Sequence, residues 1–123
     1  AHDVGRIINR SGAEGQVIGG FVQGIGGALY EELLWDDGRL VNPTLMDYKI
    51  PGTLDAPYAI HTLLLENPEP GAPWGARGMS GPCIIGAAPA IANAVADACG
   101  VRLRAIPLTK ERVLGGLLAL EAG

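Results

Sequence analysis

Two segments carry residues whose types and spacing could do chemistry. One is the glycine-punctuated run from Glu14 to Glu32, and the other is the loop Gly75-Ala-Arg-Gly-Met-Ser-Gly-Pro82. In the first, Gly19 to Gly24 has phosphate-loop spacing, but Ile25-Gly26 stands where Lys-Ser/Thr is required. Gly24-Ile25-Gly26-Gly27-Ala28-Leu29 likewise lacks the third glycine of a dinucleotide fingerprint and a clear strand before it. No Ser, His and Asp share a nucleophile context. Cys83 and Cys99 are too few and wrongly spaced for a zinc site or a disulfide framework, so they read as buried free thiols of a reducing compartment. His2 and His61 are far apart in sequence, and His61 sits in an apolar stretch that suits a structural imidazole.

The glycine run must be positioned by a helix. Val17, Phe21, Ile25 and Leu29 recur at helical spacing, with Ile18 and Val22 beside them. Gly15, Gly19, Gly20, Gly24, Gly26 and Gly27 each disfavour a helix by roughly 1 kcal/mol relative to Ala. Six such penalties imply a bare backbone that something approaches closely, either a neighbouring helix or a large flat ligand. The predicted helix runs from about residue 13 to 34, capped by Ser11, with Glu14 in its favourable first turn.

Around it the chain reads as α+β. Residues 1–10 predict a short strand and turn, and Trp35 to Val41 a hairpin through Asp37-Gly38. Prolines 51 and 57 keep the next stretch irregular. Residues 58–66 are the best strand candidate, followed by a proline-rich loop from Asn67 to Trp74. A helix over 87–98 stopped by Gly100, a strand over 101–106 and a helix near 109–121 complete a single partial domain covering 1–123.

Composition bounds the function. The chain has 48% hydrophobic and 18% charged residues, as globular proteins do. A net charge of −4 leaves no basic stripe for nucleic acid or an anionic membrane. No apolar run is read as approaching the ~18 residues of a membrane span. With 19 glycines and 5% aromatics, the core is expected to be thin and to lean on partners or on further chain.

Taken in order, these segments resemble the molybdenum-binding subunit of the xanthine dehydrogenase and aldehyde oxidase family. Ala1 to Asn9 is similar to the family's strand and turn before the cofactor helix, and Glu14 to Gly27 to its signature helix. Leu40-Val-Asn-Pro43 and Asp47-Tyr-Lys-Ile-Pro51 match the segments after it. Gly86 to Val95 and Ile106-Pro-Leu-Thr109 match its C-terminal helices. The resemblance implies the C-terminal part of a molybdopterin-binding domain, in a hydroxylase that oxidises an aldehyde or N-heterocycle with water-derived oxygen. It implies a molybdenum–molybdopterin cofactor, the cytosine dinucleotide form among those allowed. It also implies iron–sulfur and FAD partners, a hetero-oligomer and a cytoplasmic location.

Within that resemblance Gln16 matches the glutamine that approaches the metal centre and pterin, where an amide donates and accepts at once. Gly19 and Gly20 are bare for cofactor or for a facing backbone, and Gly78, Met79, Ser80 and Gly81 offer backbone donors. No residue of this chain is expected to ligate the metal. In the family the loop carries Gly-Glu before a small residue or proline, and that glutamate is the general base. Aligned through Gly75-Ala76 and Pro82, its position falls on Gly81. Glycine cannot accept a proton, and a positioned base is worth about 10²–10⁴-fold, roughly 3–5.5 kcal/mol. The second reading is therefore a non-catalytic relative or an assembly module.

Overall fold

A computed structural model describes residues 1–122. Its spine is α1, Arg10–Leu29. The helix begins three residues earlier than expected because Asn9, not Ser11, caps it: the Asn9 side-chain oxygen accepts from the Gly12 amide at 2.9 Å. It ends at Leu29 rather than near 34, where the Tyr30 and Glu31 amides both donate to the Gly26 carbonyl and close the last turn.

The hairpin forms as expected. β2 (Trp35–Asp36) pairs antiparallel with β3 (Arg39–Leu40), and Asp37 and Gly38 both take positive φ, as a type I′ turn requires. Ladders elsewhere are shorter than the sequence suggests. Of residues 58–66 only Leu64–Leu65 is a strand, β4, and it pairs in parallel with β1, His2–Asp3. Residues 101–106 form no strand, because no partner lies alongside to complete a ladder.

After a single 3₁₀ turn at Pro73–Gly75 come α2 (Pro82–Ile85), α3 (Ala87–Cys99) and α4 (Lys110–Glu121). α2 was not anticipated. α3 ends at Gly100 in the left-handed conformation, and Thr109 caps α4 by accepting from the Arg112 amide. Pro82–Cys99 is, by length and mean hydropathy of 1.4, apolar enough to cross a membrane, so the reading that no run approaches that length is corrected. Within this stretch only Cys83 and Ala87 are buried, both against α1, while Ile85 is exposed.

Close approach to α1 is what three of its glycines provide. A Cβ on Gly20 would lie 2.6 Å from the Cys83 Cβ, and one on Gly24 would collide with the Ala87 Cβ. One on Gly26 would strike the Glu31 carboxylate and Pro51. The core is correspondingly thin: Val4, Ala13, Val17, Ile25, Ala28, Cys83, Ala87, Val101 and Leu108. Among the described residues no large side chain is fully buried, and Leu54 and Tyr58 stand 98% and 107% exposed. Surface of that kind in a monomer is normally covered by something else.

The helix ends are pinned by polar side chains. Buried Asn42 donates to the Glu32 carbonyl and accepts from the Leu34 amide. Arg112 donates to the Pro107 carbonyl and pairs with Glu32, which ties the start of α4 to the end of α1.

Candidate cofactor-facing site

Gln16 and Met79 come from the two segments singled out in the sequence, and they line one cleft of about 570 Å³. Its rim adds Gly12 and Gly15 from the first turns of α1, and Arg6 and Arg77 from the strand and loop beside it. The Gln16 side chain is exposed, so its amide is available to a ligand. A Cβ at Gly15 or Gly19 would meet nothing within 4 Å.

The other expected residues are placed differently. Gly20 faces Cys83 and serves helix packing. Gly19 opens on a separate hollow of about 320 Å³ shared with Gln23, Glu31 and Pro51. Gly78, Ser80 and Gly81 are exposed and outside the lining of the Gln16 cleft. At Gly81 the backbone is in the right-handed helical region (φ −61°, ψ −49°), and a Cβ there meets nothing within 4 Å. A side chain could start there without a clash at its Cβ.

The loop is held at its base. The Arg6 amide donates to the Gly75 carbonyl and the Arg77 amide to the Val4 carbonyl, both at 2.9 Å, around an isolated antiparallel bridge between Gly5 and Ala76. Gly5 has φ +62°, and a Cβ there would strike the Gly75 carbonyl oxygen. Asp3 accepts from the Asn67 amide (3.1 Å), the Asn67 side chain (3.1 Å) and the Gly5 amide (3.2 Å). These donors, Asn67 first, with Arg77 adding charge, hold its carboxyl below the usual carboxylate range. Its contacts therefore persist above the unfolded value and are lost only as pH falls through the lowered one.

Neither nearby glutamate is free to replace a base at Gly81. Glu66 accepts from the Ile7 amide at 2.9 Å and lies 4.0 Å from Arg10. Glu69 lies 3.6 Å from Arg77. Cys83 is 4% exposed and its thiol donates to the Met79 carbonyl at 2.7 Å. Burial pushes that thiol up, away from the reactive thiolate. His2 and His61, remote in sequence, line one apolar hollow of about 500 Å³ with Phe21 and Cys83. Among the described residues no three His, Cys, Asp or Glu side chains gather as a metal site.

Sequence reasoning missed Arg6, Arg77 and Asp3 as parts of this site. The signal available was an arginine inside a glycine loop. Its acidic partner 74 positions away becomes visible only once β1 and β4 pair.

Comparison with known proteins decides what this arrangement belongs to. A family profile described as a molybdopterin cofactor-binding domain matches residues 1–57. Over 114 residues, 91% of the chain, the sequence is 44% identical to the putative xanthine dehydrogenase molybdenum-binding subunit XdhA of Escherichia coli (strain K12). The chain belongs to the xanthine dehydrogenase and aldehyde oxidase family.

It spans about 15% of the length of that relative. The gamma subunit of the 6-hydroxypseudooxynicotine dehydrogenase complex of Paenarthrobacter nicotinovorans is 40% identical over 90% of this chain and 14% of its own. Quinoline 2-oxidoreductase from Pseudomonas putida 86 superposes with a TM-score of 0.87 and 42% identity, over 94% of this chain and 15% of that one. The fold is accordingly α+β, helices with a few short strands matching a small part of the molybdenum-binding domains of these proteins.

Proposed function

We propose that this chain is one section of a molybdopterin-dependent hydroxylase and forms one wall of its cofactor pocket. The observation that carries the reading is the meeting of Gln16, Gly15 and Met79 in one cleft beside Arg6 and Arg77. A flat, polar, anionic group suits these residues. The cleft offers an exposed amide that donates and accepts, cationic side chains, and a helix face without side chains at Gly15.

When bound, the molybdenum–molybdopterin cofactor supplies the redox chemistry and the transfer of water-derived oxygen to an aldehyde or N-heterocycle. The chain's own residues bind and orient. Gln16 hydrogen-bonds the cofactor, and backbone amides from Gly78 to Gly81 add donors where the loop passes it. Gly19 and Gly20 flank Gln16 on the helix, with Gly20 also holding α2 at close range. The rest of the molybdenum-binding subunit completes the pocket. Iron–sulfur and FAD partners remove electrons, in a cytoplasmic hetero-oligomer. The pterin's nucleotide, cytosine or none, lies with residues beyond this section.

One specific observation favours a second reading, a non-catalytic relative or assembly module. The base position is Gly81, and Glu66 and Glu69 are engaged elsewhere. Purification of the full subunit with its partners separates the two readings. Molybdenum with turnover of an N-heterocycle or aldehyde sinks the non-catalytic one. A stable complex that never carries pterin sinks the enzymatic one. In a cofactor-loaded complex, Gly81→Glu is expected to raise hydroxylation by about 10²–10⁴-fold. No change there counts against Gly81 as the vacant base position.

A further inference from the structure

The loop from Arg77 to Cys83 is tied at both ends and bare between them. At its entrance Asp3 collects the Asn67 amide, the Asn67 side chain and the Gly5 amide. Asn67 in turn accepts from Arg77 Nε at 3.2 Å through its carbonyl, and the Arg77 guanidinium lies 3.9 Å from Asp3 and 3.6 Å from Glu69. At its exit the Cys83 thiol donates back to the Met79 carbonyl, while the Cys83 backbone abuts α1 where Gly20 has no side chain. Gly78 and Gly81, between the ties, have open space at their Cβ positions.

We propose that Asp3 and Cys83 are positioning residues that act as two anchors of one frame, fixing the loop against the Gln16 cleft whatever side chain stands at position 81. Asp3 acts through Asn67 and Arg77, and Cys83 acts through the Met79 carbonyl. Neither touches the reacting atoms. The anchors lie on α2, β1 and residue 67, and none of their contacts uses a side chain at position 81. The proposal rests on the pocket reading only for what the loop faces, not for how it is held.

The test is site-resolved amide hydrogen exchange on the full molybdenum-binding subunit in its complex. The entrance is read at the amides of Arg6 and Arg77 and the exit at Ile84, whose amide donates to the Gly81 carbonyl at 3.2 Å. Asp3→Ala is expected to speed exchange at Arg6 and Arg77 by about tenfold while amides of Val22 to Ala28 in α1 stay within about twofold. Cys83→Ala is expected to do the same at Ile84, and Cys83→Ser, which keeps a donor for the Met79 carbonyl, to restore it. Arg77→Lys, which keeps the charge but loses the Nε donor, serves as the entrance variant if Asp3→Ala fails to assemble. Unchanged exchange at all three amides overturns the proposal, and so does a uniform rise that includes α1. Molybdenum content of the unmutated complex is measured alongside. Its absence removes the pocket reading and leaves the exchange result standing.

Discussion

The glycines of α1 fall into two sets that are bare for opposite reasons. Gly20, Gly24 and Gly26 are bare because other parts of the protein occupy the space: Cys83, Ala87, and the Glu31 carboxylate with Pro51. At Gly15, Gly19 and Gly27 a Cβ would meet nothing within 4 Å. The first set explains itself through packing. The second accepts a helix penalty of roughly 1 kcal/mol per glycine with no packing contact among the described residues to offset it. The comparison shows that a glycine-rich helix holds two messages, and that only the structure tells which glycine carries which.

The comparison breaks most visibly at Gly24. Valine there drives two methyl groups into Ala87 and the Ile84 carbonyl, and α1 and α3 must separate. In the full subunit, Gly24→Val is expected to cost about 3 kcal/mol or more, read as a lowered denaturation midpoint or failure to assemble. Gly20→Ala is the milder version. Its added carbon meets the Cys83 Cβ at 2.6 Å and the backbone carbonyl carbon at 3.1 Å, neither of which can swing aside. A net loss of about 1–2 kcal/mol is expected even after the helix-propensity gain. A Gly20→Ala subunit more stable than the parent would undo the assignment of Gly20 to packing.

At the open glycines the sign reverses. Gly19→Ala and Gly15→Ala are each expected to stabilise the apo subunit by about 0.5–1 kcal/mol, because alanine improves the helix and meets nothing. If the cofactor is what approaches these glycines, molybdenum content falls in the same variants. Stabilisation with full molybdenum content would place the cofactor elsewhere.

How much of this was legible beforehand follows from the kind of interaction. The glycine helix, the Asp37-Gly38 turn, the Gly100 stop and the α4 helix were readable because each is local, set by propensity or by one residue's φ. The strands over 58–66 and 101–106 were overread. A strand exists only where a partner completes its ladder, and here only Leu64–Leu65 finds one in β1. The Asn9 cap was missed in favour of Ser11 because both residue types cap well, and chain geometry decides between them. At the site, Gln16 and Met79 were legible through the family's motifs. The polar knot of Asp3, Asn67 and Arg77 was not, since its members lie 10 to 74 positions apart and meet only through tertiary contact.

The smallest expected effect sharpens the comparison most, because it separates stability from chemistry. Gly81 belongs to the open set: right-handed backbone, exposed, with nothing within 4 Å of its Cβ. It also precedes α2 without capping it by any side-chain bond. A glutamate at this position needs no strained φ, displaces no neighbour and places its charge before a helix N-terminus, where a carboxylate is mildly favoured. Gly81→Glu is therefore expected to change the stability of the full subunit by no more than about 0.5 kcal/mol, within the range of ordinary surface substitutions. Thermal unfolding of the parent and variant complexes measures it. A near-zero shift means that any gain in hydroxylation comes from the new proton acceptor and not from a rebuilt loop. A loss of 2 kcal/mol or more would show that Gly81 is held by contacts of the packed kind and does not belong to the open set.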